Sequence, residues 1–201
     1  MYTLILSAAL AMTPLLDTTE GGTEPAKQTV NTKQSTVTWI GNKVTGSHNG
    51  DIQISNGYIN VQDGMVTGAS VIIDMTSINT TDLEGGSKVS LDGHLKSDDF
   101  FGVEQFPTAQ FELISLNPLR AANGMNYSAM GTVTIKGRTA EVAFPVKVEM
   151  GKSETTISGE MILDRSNFDV RFRSKSFFDP AELGDKLIYD EFTIGFTLKT
   201  S

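Results

Sequence analysis

The chain contains no cysteine. That excludes disulfides, thiolate metal sites and a cysteine nucleophile, and it leaves no residue for a lipoprotein anchor. Histidine is nearly as scarce, with only His48 and His94. Asp92, Asp98 and Asp99 flank His94, but there is no tight His-x-His or cysteine-based pattern, so no metal site is expected. The simpler reading of His94 is a packed, hydrogen-bonded side chain at a helix end. No nucleophile elbow, phosphate loop or dinucleotide fingerprint occurs, and no acid–base couple stands out. Positive charge is short as well. Sixteen Lys and Arg stand against 24 Asp and Glu, a net charge of -8. Nucleic acids and anionic headgroups are gripped by basic surfaces, so DNA, RNA and peripheral membrane electrostatics are set aside. A recognised lipid belongs in an interior, not on a basic face.

Long hydrophobic runs are missing too. The apolar stretch Leu4 to Leu10 falls far below the roughly 20 residues needed to span a bilayer. Followed by the small-x-small site Ala9-Leu10-Ala11, it reads as a signal peptide over residues 1–11, which implies a periplasmic or secreted protein. No Lys or Arg precedes it, and a buried N-terminal segment is the competing reading. Asp17 to Gln34 is rich in Thr, Gly, Glu and Lys and nearly free of large apolar side chains. Residues 12–34 are therefore expected to be a flexible linker, with one folded domain over 35–201.

What the domain has is strict alternation. Ala140, Val142, Phe144, Val146, Val148 and Met150 alternate with Glu141, Ala143, Pro145, Lys147 and Glu149. Phe192, Ile194, Phe196 and Leu198 alternate with Thr193, Gly195 and Thr197. One face is buried and one is wet, the antiparallel pattern. Asn56-Gly57, Asp63-Gly64, Asn123-Gly124 and Lys136-Gly137 are read as reversals, and Pro145 predicts an edge or a bulge. Ser87 to Ser97 carries Val89, Leu91 and Leu95 among charges and reads as a short helix. The fold class is all-β: an antiparallel barrel of about eight strands with a helical cap insertion.

Such a barrel either fills itself with side chains or holds one ligand. Gly131 and Gly159 fall on apolar faces. There they either leave volume open or supply the kink that closure needs. Together with Ala129 and Ala140 they favour a cavity. Phe100, Phe101, Phe106 and Phe111 crowd into a dozen residues. Each alone reads as core packing; together they suggest a lid over an apolar tunnel.

At this point several ordered blocks resemble the YceI-like family. His94-Leu95-Lys96-Ser97-Asp98-Asp99-Phe100-Phe101 and Gln105-Phe106-Pro107-Thr108-Ala109 are similar to its central signature, with Phe106 where a tyrosine is usual. Ser35-Thr36-Val37-Thr38-Trp39 resembles the first strand, and Gly46-Ser47-His48-Asn49-Gly50 a conserved turn. Ile73-Asp74-Met75, Gly131 to Gly137, and Leu163-Asp164-Arg165-Ser166 agree in order. Asp169 departs where many members carry glycine. The tail Asp169 to Phe172, Ser176 to Asp179 and Gly184-Asp185-Lys186 resembles a subgroup common in Bacteroidota.

The resemblance implies an exported, extended, lipocalin-like barrel that takes a polyisoprenoid or an isoprenoid quinone. It implies no cofactor, and it leaves a homodimer through strand edges open. The expected ligand contacts are Trp39, His48, Phe100, Phe101, Phe106, Phe111, Gly131, Phe144, Gly159 and Arg165. Arg165, with His48, is the candidate for a polar headgroup at the barrel mouth; an internal pair with Asp164 or Asp169 is the competing reading. Two other functions stay open: an envelope stress-related interaction protein with a packed barrel, and an enzyme acting on a held lipid. The absence of a nucleophile, metal or acid–base constellation argues against the enzyme.

Overall fold

The computed structural model describes residues 24–121 and 123–201. In chain order the strands are β1 (Ala26–Thr29), β2 (Thr36–Lys43), β3 (Gly46–Gln62) and β4 (Met65–Thr80). After helix α1 (Gly85–Lys96) come β5 (Thr108–Pro118), β6 (Tyr127–Ile135), β7 (Arg138–Met150) and β8 (Thr155–Asp164). A 3-10 turn (Arg165–Phe168), helix α2 (Pro180–Leu183) and a second 3-10 turn (Gly184–Lys186) lead into β9 (Ile188–Lys199).

Strands β2 to β9 pair antiparallel in the order β3–β2–β9–β8–β7–β6–β5–β4, and β4 pairs back onto β3. The ladder therefore closes into an eight-stranded barrel, and β1 adds a ninth strand along the far half of β3. This is the all-β, antiparallel, lipocalin-like barrel expected from the sequence. Alternation sets the two faces. In β7, Phe144, Val146 and Val148 are buried while Ala143, Pro145 and Glu149 are exposed. In β8, Ile157, Gly159, Met161 and Leu163 point in while Glu160 and Ile162 point out.

The hairpin signals divide. Asp63-Gly64 and Lys136-Gly137 are two-residue loops with left-handed backbone at both positions, φ 52° and 73° in one and 52° and 71° in the other. That geometry matches the twist of the flanking strands. Asn56-Gly57 is not a turn. It lies inside β3, at a register shift against β4 between Ile54 and Asn56. Gly57 leaves room there for Val30, whose side chain would sit 3.0 Å from a Cβ at that position. Pro145 marks an edge as expected, since the β7–β8 ladder begins one residue later, at Val146 opposite Gly159.

The expected signal peptide over 1–11, and residues 12–23 of the expected linker, lie outside the described residues. The rest of that linker is corrected: the folded part begins at Ala26 and not at Ser35. Polar β1 makes a backbone ladder that its composition hides, and Val30, 3% exposed, is the one side chain of this stretch in the core.

The two barrel ends differ. The β3–β4, β5–β6 and β7–β8 connections lie at one end, while the long β4–β5 and β8–β9 connections cap the other, beside the β2–β3 and β6–β7 hairpins. Helix α1 has no buried residue, and its Val89 is 71% exposed. Leu95 packs half-buried against the core, and polar contacts do the rest. Lys88 Nζ donates to Asn79 Oδ1, to the Thr80 carbonyl (2.6 Å) and to Asp92 Oδ2 (2.9 Å). The Thr80 amide in turn donates to Asp92 Oδ1 (2.8 Å). Lys136 Nζ ties the β6–β7 hairpin to the carbonyls of Asp98 and Phe100 at 3.1 and 3.0 Å.

Ile59 in β3 is fully buried. Ile59→Ala should destabilise the barrel by about 2–5 kcal/mol, the usual cost of a large-to-small core change, read as a lower urea midpoint. An unchanged midpoint would mean that this part of β3 lies outside the cooperative core.

Candidate functional site

The inward rows do not fill the barrel; they enclose a cavity of about 210 Å³. Val37, Trp39 and Gly41 of β2 form part of its wall, as do Ala109, Phe111 and Leu113 of β5. Phe192, Ile194, Phe196 and Leu198 of β9 face them, and Leu95, Phe100 and Phe101 come from the cap. Gln110 and Arg165 are the amide and the cation in an otherwise apolar or aromatic wall. The Trp39 indole N–H is already engaged, donating to the Asp51 carbonyl at 3.3 Å.

Phe111, Phe144 and Phe196 stand edge to face across the interior, with centroids 5.7 and 5.9 Å apart, a favoured aromatic geometry. Their seats explain the inward glycines. A Cβ on Gly131 would collide with the Glu112 carbonyl oxygen and come within 2.6 Å of the Phe111 ring. One on Gly159 would reach the Pro145 carbonyl oxygen at 2.9 Å and the Phe196 ring at 3.3 Å. Neither glycine lines the cavity. The expectation that they open volume is corrected: each gives up its space to an aromatic ring from the neighbouring strand, and the ring lines the cavity in its place.

Six of the expected contacts line the cavity: Trp39, Phe100, Phe101, Phe111, Phe144 and Arg165. Phe106 does not. Its ring packs against Gly137 of the β6–β7 hairpin, within 3.2 Å of a Cβ built there, and clamps the cap to that turn. His48 is also elsewhere, with Nδ1 2.9 Å from Asp82 Oδ2. It shares a shallow cleft beside α1 with His94, Ser87, Ser90, Phe172 and Arg173.

Arg165 therefore meets no His48, and its donors are committed. Nε, Nη1 and Nη2 donate to the carbonyls of Tyr189, Val170 and Ile188 at 3.1, 2.8 and 2.9 Å. Its ion partner is Asp190, 3.3 Å away, with the two side chains 2% and 3% exposed. The expected partners are otherwise engaged. Asp164 accepts from the Ser166 amide at 2.8 Å, and Asp169 pairs with Arg171 at 2.6 Å. Asp190 Oδ2 accepts from Ser176 Oγ at 2.8 Å. Oδ1 takes no aligned hydrogen bond, so its attraction to Arg165 is purely coulombic. Burial pushes the Arg165 pKa down, and the Asp190 and Asp164 carboxylates oppose that. Asp190 was missed in the sequence, although it lies on the inward row two residues before Phe192.

His94 lies edge-on between Phe100 and Phe172, at 5.6 and 4.4 Å, and its Nε2 is buried without a partner. Burial lowers its pKa below the ordinary histidine value; Asp99 opposes this and Arg173 adds to it. Among the described residues no three His, Asp or Glu side chains are grouped to hold a metal ion.

A closed antiparallel barrel of eight strands around an apolar cavity, capped at one end, defines the class. The chain belongs to the YceI-like domain family, whose model matches residues 28–200. A UPF0312 protein of Staphylococcus aureus strain N315 is 30% identical over 120 residues, covering 56% of this chain and 61% of that relative. The match thus spans about three fifths of the curated relative's length. BcnA of Burkholderia cenocepacia shares the fold with a TM-score of 0.66 at 22% identity, over 86% of this chain and 99% of its own. A polyisoprenoid binding domain from Saccharophagus degradans, implicated in plant cell wall breakdown, gives 0.58 at 12% identity, over 89% and 99%.

Two outcomes follow. Asp190→Ala strands a buried guanidinium and should cost about 3–5 kcal/mol; a variant as stable as wild type would show that the carbonyls alone suffice. His94 binds a proton more weakly folded than unfolded, so its share of stability falls as pH drops through the ordinary histidine range. Between pH 7 and 5, His94→Gln should lose less stability than wild type, measured by urea midpoints at each pH. Equal losses would assign the dependence to other groups.

Proposed function

We propose that the protein is an exported carrier or sequestering protein that holds a long apolar lipid, a polyisoprenoid or an isoprenoid quinone, inside the barrel. The observation that carries this reading is the cavity itself, walled by apolar and aromatic side chains. A barrel filled by its own side chains is the competing reading, and a cavity of about 210 Å³ weighs against it. The binding named for the Saccharophagus degradans domain supports the same ligand class. Export rests on the sequence pattern of residues 1–11.

The reading is of holding and not of turnover. Arg165 is occupied by three carbonyls and a carboxylate, and the Gln110 amide donates to Glu112 Oε1 at 2.9 Å and to Ser70 Oγ at 3.4 Å, so both polar side chains of the wall are already engaged. Binding then comes from apolar area. Each buried CH₂ contributes about 0.8 kcal/mol, and burial is non-directional, so tail length outweighs the headgroup.

The test is a ladder of isoprenoids of increasing length on one headgroup, titrated against wild type and Ala129→Phe. Ala129 is a buried cavity-wall residue opposite Phe144. Affinity should rise with length until the cavity is full, and headgroup exchange should matter little. The bulkier variant should lose about tenfold for long tails, the equivalent of roughly two CH₂ groups. Affinity independent of length in both proteins would contradict the reading.

A further inference from the structure

The net charge of -8 is an average, and one stretch of the capped end departs from it. Residues 171–178, Arg-Phe-Arg-Ser-Lys-Ser-Phe-Phe, carry three cations and no carboxylate. Arg171 is paired with Asp169. Arg173 and Lys175 are exposed, and among the described residues neither has a carboxylate at ion-pair distance. Asp179, Glu182 and Asp185 follow on α2 and the next turn, where Asp179 caps α2 through the Ala181 amide.

The same stretch exposes large apolar side chains. Phe177 is 39% and Phe178 50% exposed. Hydrogen bonds bring this stretch to the end of the cavity: the Ile188 amide donates to the Arg173 carbonyl, and the Ser176 hydroxyl to the Asp190 carboxylate. Ile188 and Tyr189 line the cavity. Tyr189 is also 44% exposed, so the cavity wall reaches the surface there. Val44, 46% exposed, stands beside it, its amide donating to the Leu187 carbonyl. The β2–β9 ladder is interrupted at this place: Gly41 pairs with Phe192 and Lys43 with Ile188, which leaves residues 189–191 without partners on β2.

We propose that this rim, with Val44, Phe177, Phe178 and Tyr189 as apolar contacts and Arg173 and Lys175 as cations, docks the barrel on an anionic lipid bilayer. Exposed aromatics beside unpaired cations are the combination that seats a protein in the headgroup region of an anionic membrane. The rim surrounds the place where the cavity wall meets the surface, so an apolar cargo passes between bilayer and barrel without crossing water. The proposal rests on the lipid-holding reading for its purpose, but its contact surface can be tested separately.

The experiment is co-sedimentation of the whole protein with phosphatidylcholine vesicles, with and without phosphatidylglycerol, at low and high salt. The proteins compared are wild type, Phe177→Ser/Phe178→Ser and Arg173→Glu/Lys175→Glu. Uptake of an isoprenoid from detergent solution and the urea midpoint are measured on each. Wild type should bind the anionic vesicles, and salt should weaken that binding. Each double variant should bind about tenfold more weakly, with detergent-phase uptake and midpoint unchanged. Wild type that ignores anionic vesicles, or variants that bind them as wild type does, would overturn the proposal. Capture of a protein partner, lost in the same variants while vesicles are ignored, would overturn it in favour of a protein interface. Vesicle binding without any isoprenoid uptake would leave the docking surface standing and reject the carrier reading.

Discussion

The pairing of β4 back onto β3 is the interaction on which the rest depends. It turns eight of the sheet's nine strands into a ring, and a ring has an inside. Once closed, period-2 alternation sends every second side chain into one shared volume. About eight strands give an interior that side chains can just fill, so the outcome is decided by what the inward rows carry. Here Ala109, Ala129, Gly41 and rows of Val and Ile leave space. The largest inward rings, Phe111 and Phe196, are drawn back against the wall over Gly131 and Gly159. Wall and cavity are two consequences of the same small residues.

The ends of the ring are built on different physics. At one end, the Asp63-Gly64 hairpin and the β5–β6 and β7–β8 connections join the strands, and Val30 is packed into the core. At the other, long connections are fastened by polar latches: Lys88 with Asp92 under α1, Lys136 on the Asp98–Phe100 turn, and Arg165 with Asp190 at the start of β9. Segments with few buried apolar contacts open locally at lower free energy than the core. Helix α1, with no buried residue, belongs to that class.

Much of this was legible in the sequence, and the misses have physical causes. Alternation in β7 and β9 gave the barrel, and three of the four glycine dipeptides, Asp63-Gly64, Asn123-Gly124 and Lys136-Gly137, lie where the chain reverses. Asn56-Gly57 misled because a glycine that makes room for a packed side chain reads like one that bends the chain. Residues 26–30 misled because an edge strand held by backbone hydrogen bonds needs almost no apolar side chains. Gly131 and Gly159 were placed on the inward face correctly, but one strand's pattern does not reveal a ring arriving from the next. Arg165 was expected to pair with a near neighbour in sequence. Its partner, Asp190, lies across the β8–β9 connection, where only the inward register of β9 could have pointed to it. Phe106 shared the crowding of its neighbours, yet the turn after Phe101 carries it outside the wall.

The account stands on the barrel being a container. Native mass spectrometry of the protein purified from its own or a related host, followed by organic extraction, tests this most directly. The account predicts a co-purifying isoprenoid or quinone at near-unit stoichiometry, released only when the fold is disrupted. A protein that arrives empty and also refuses added isoprenoids would contradict it.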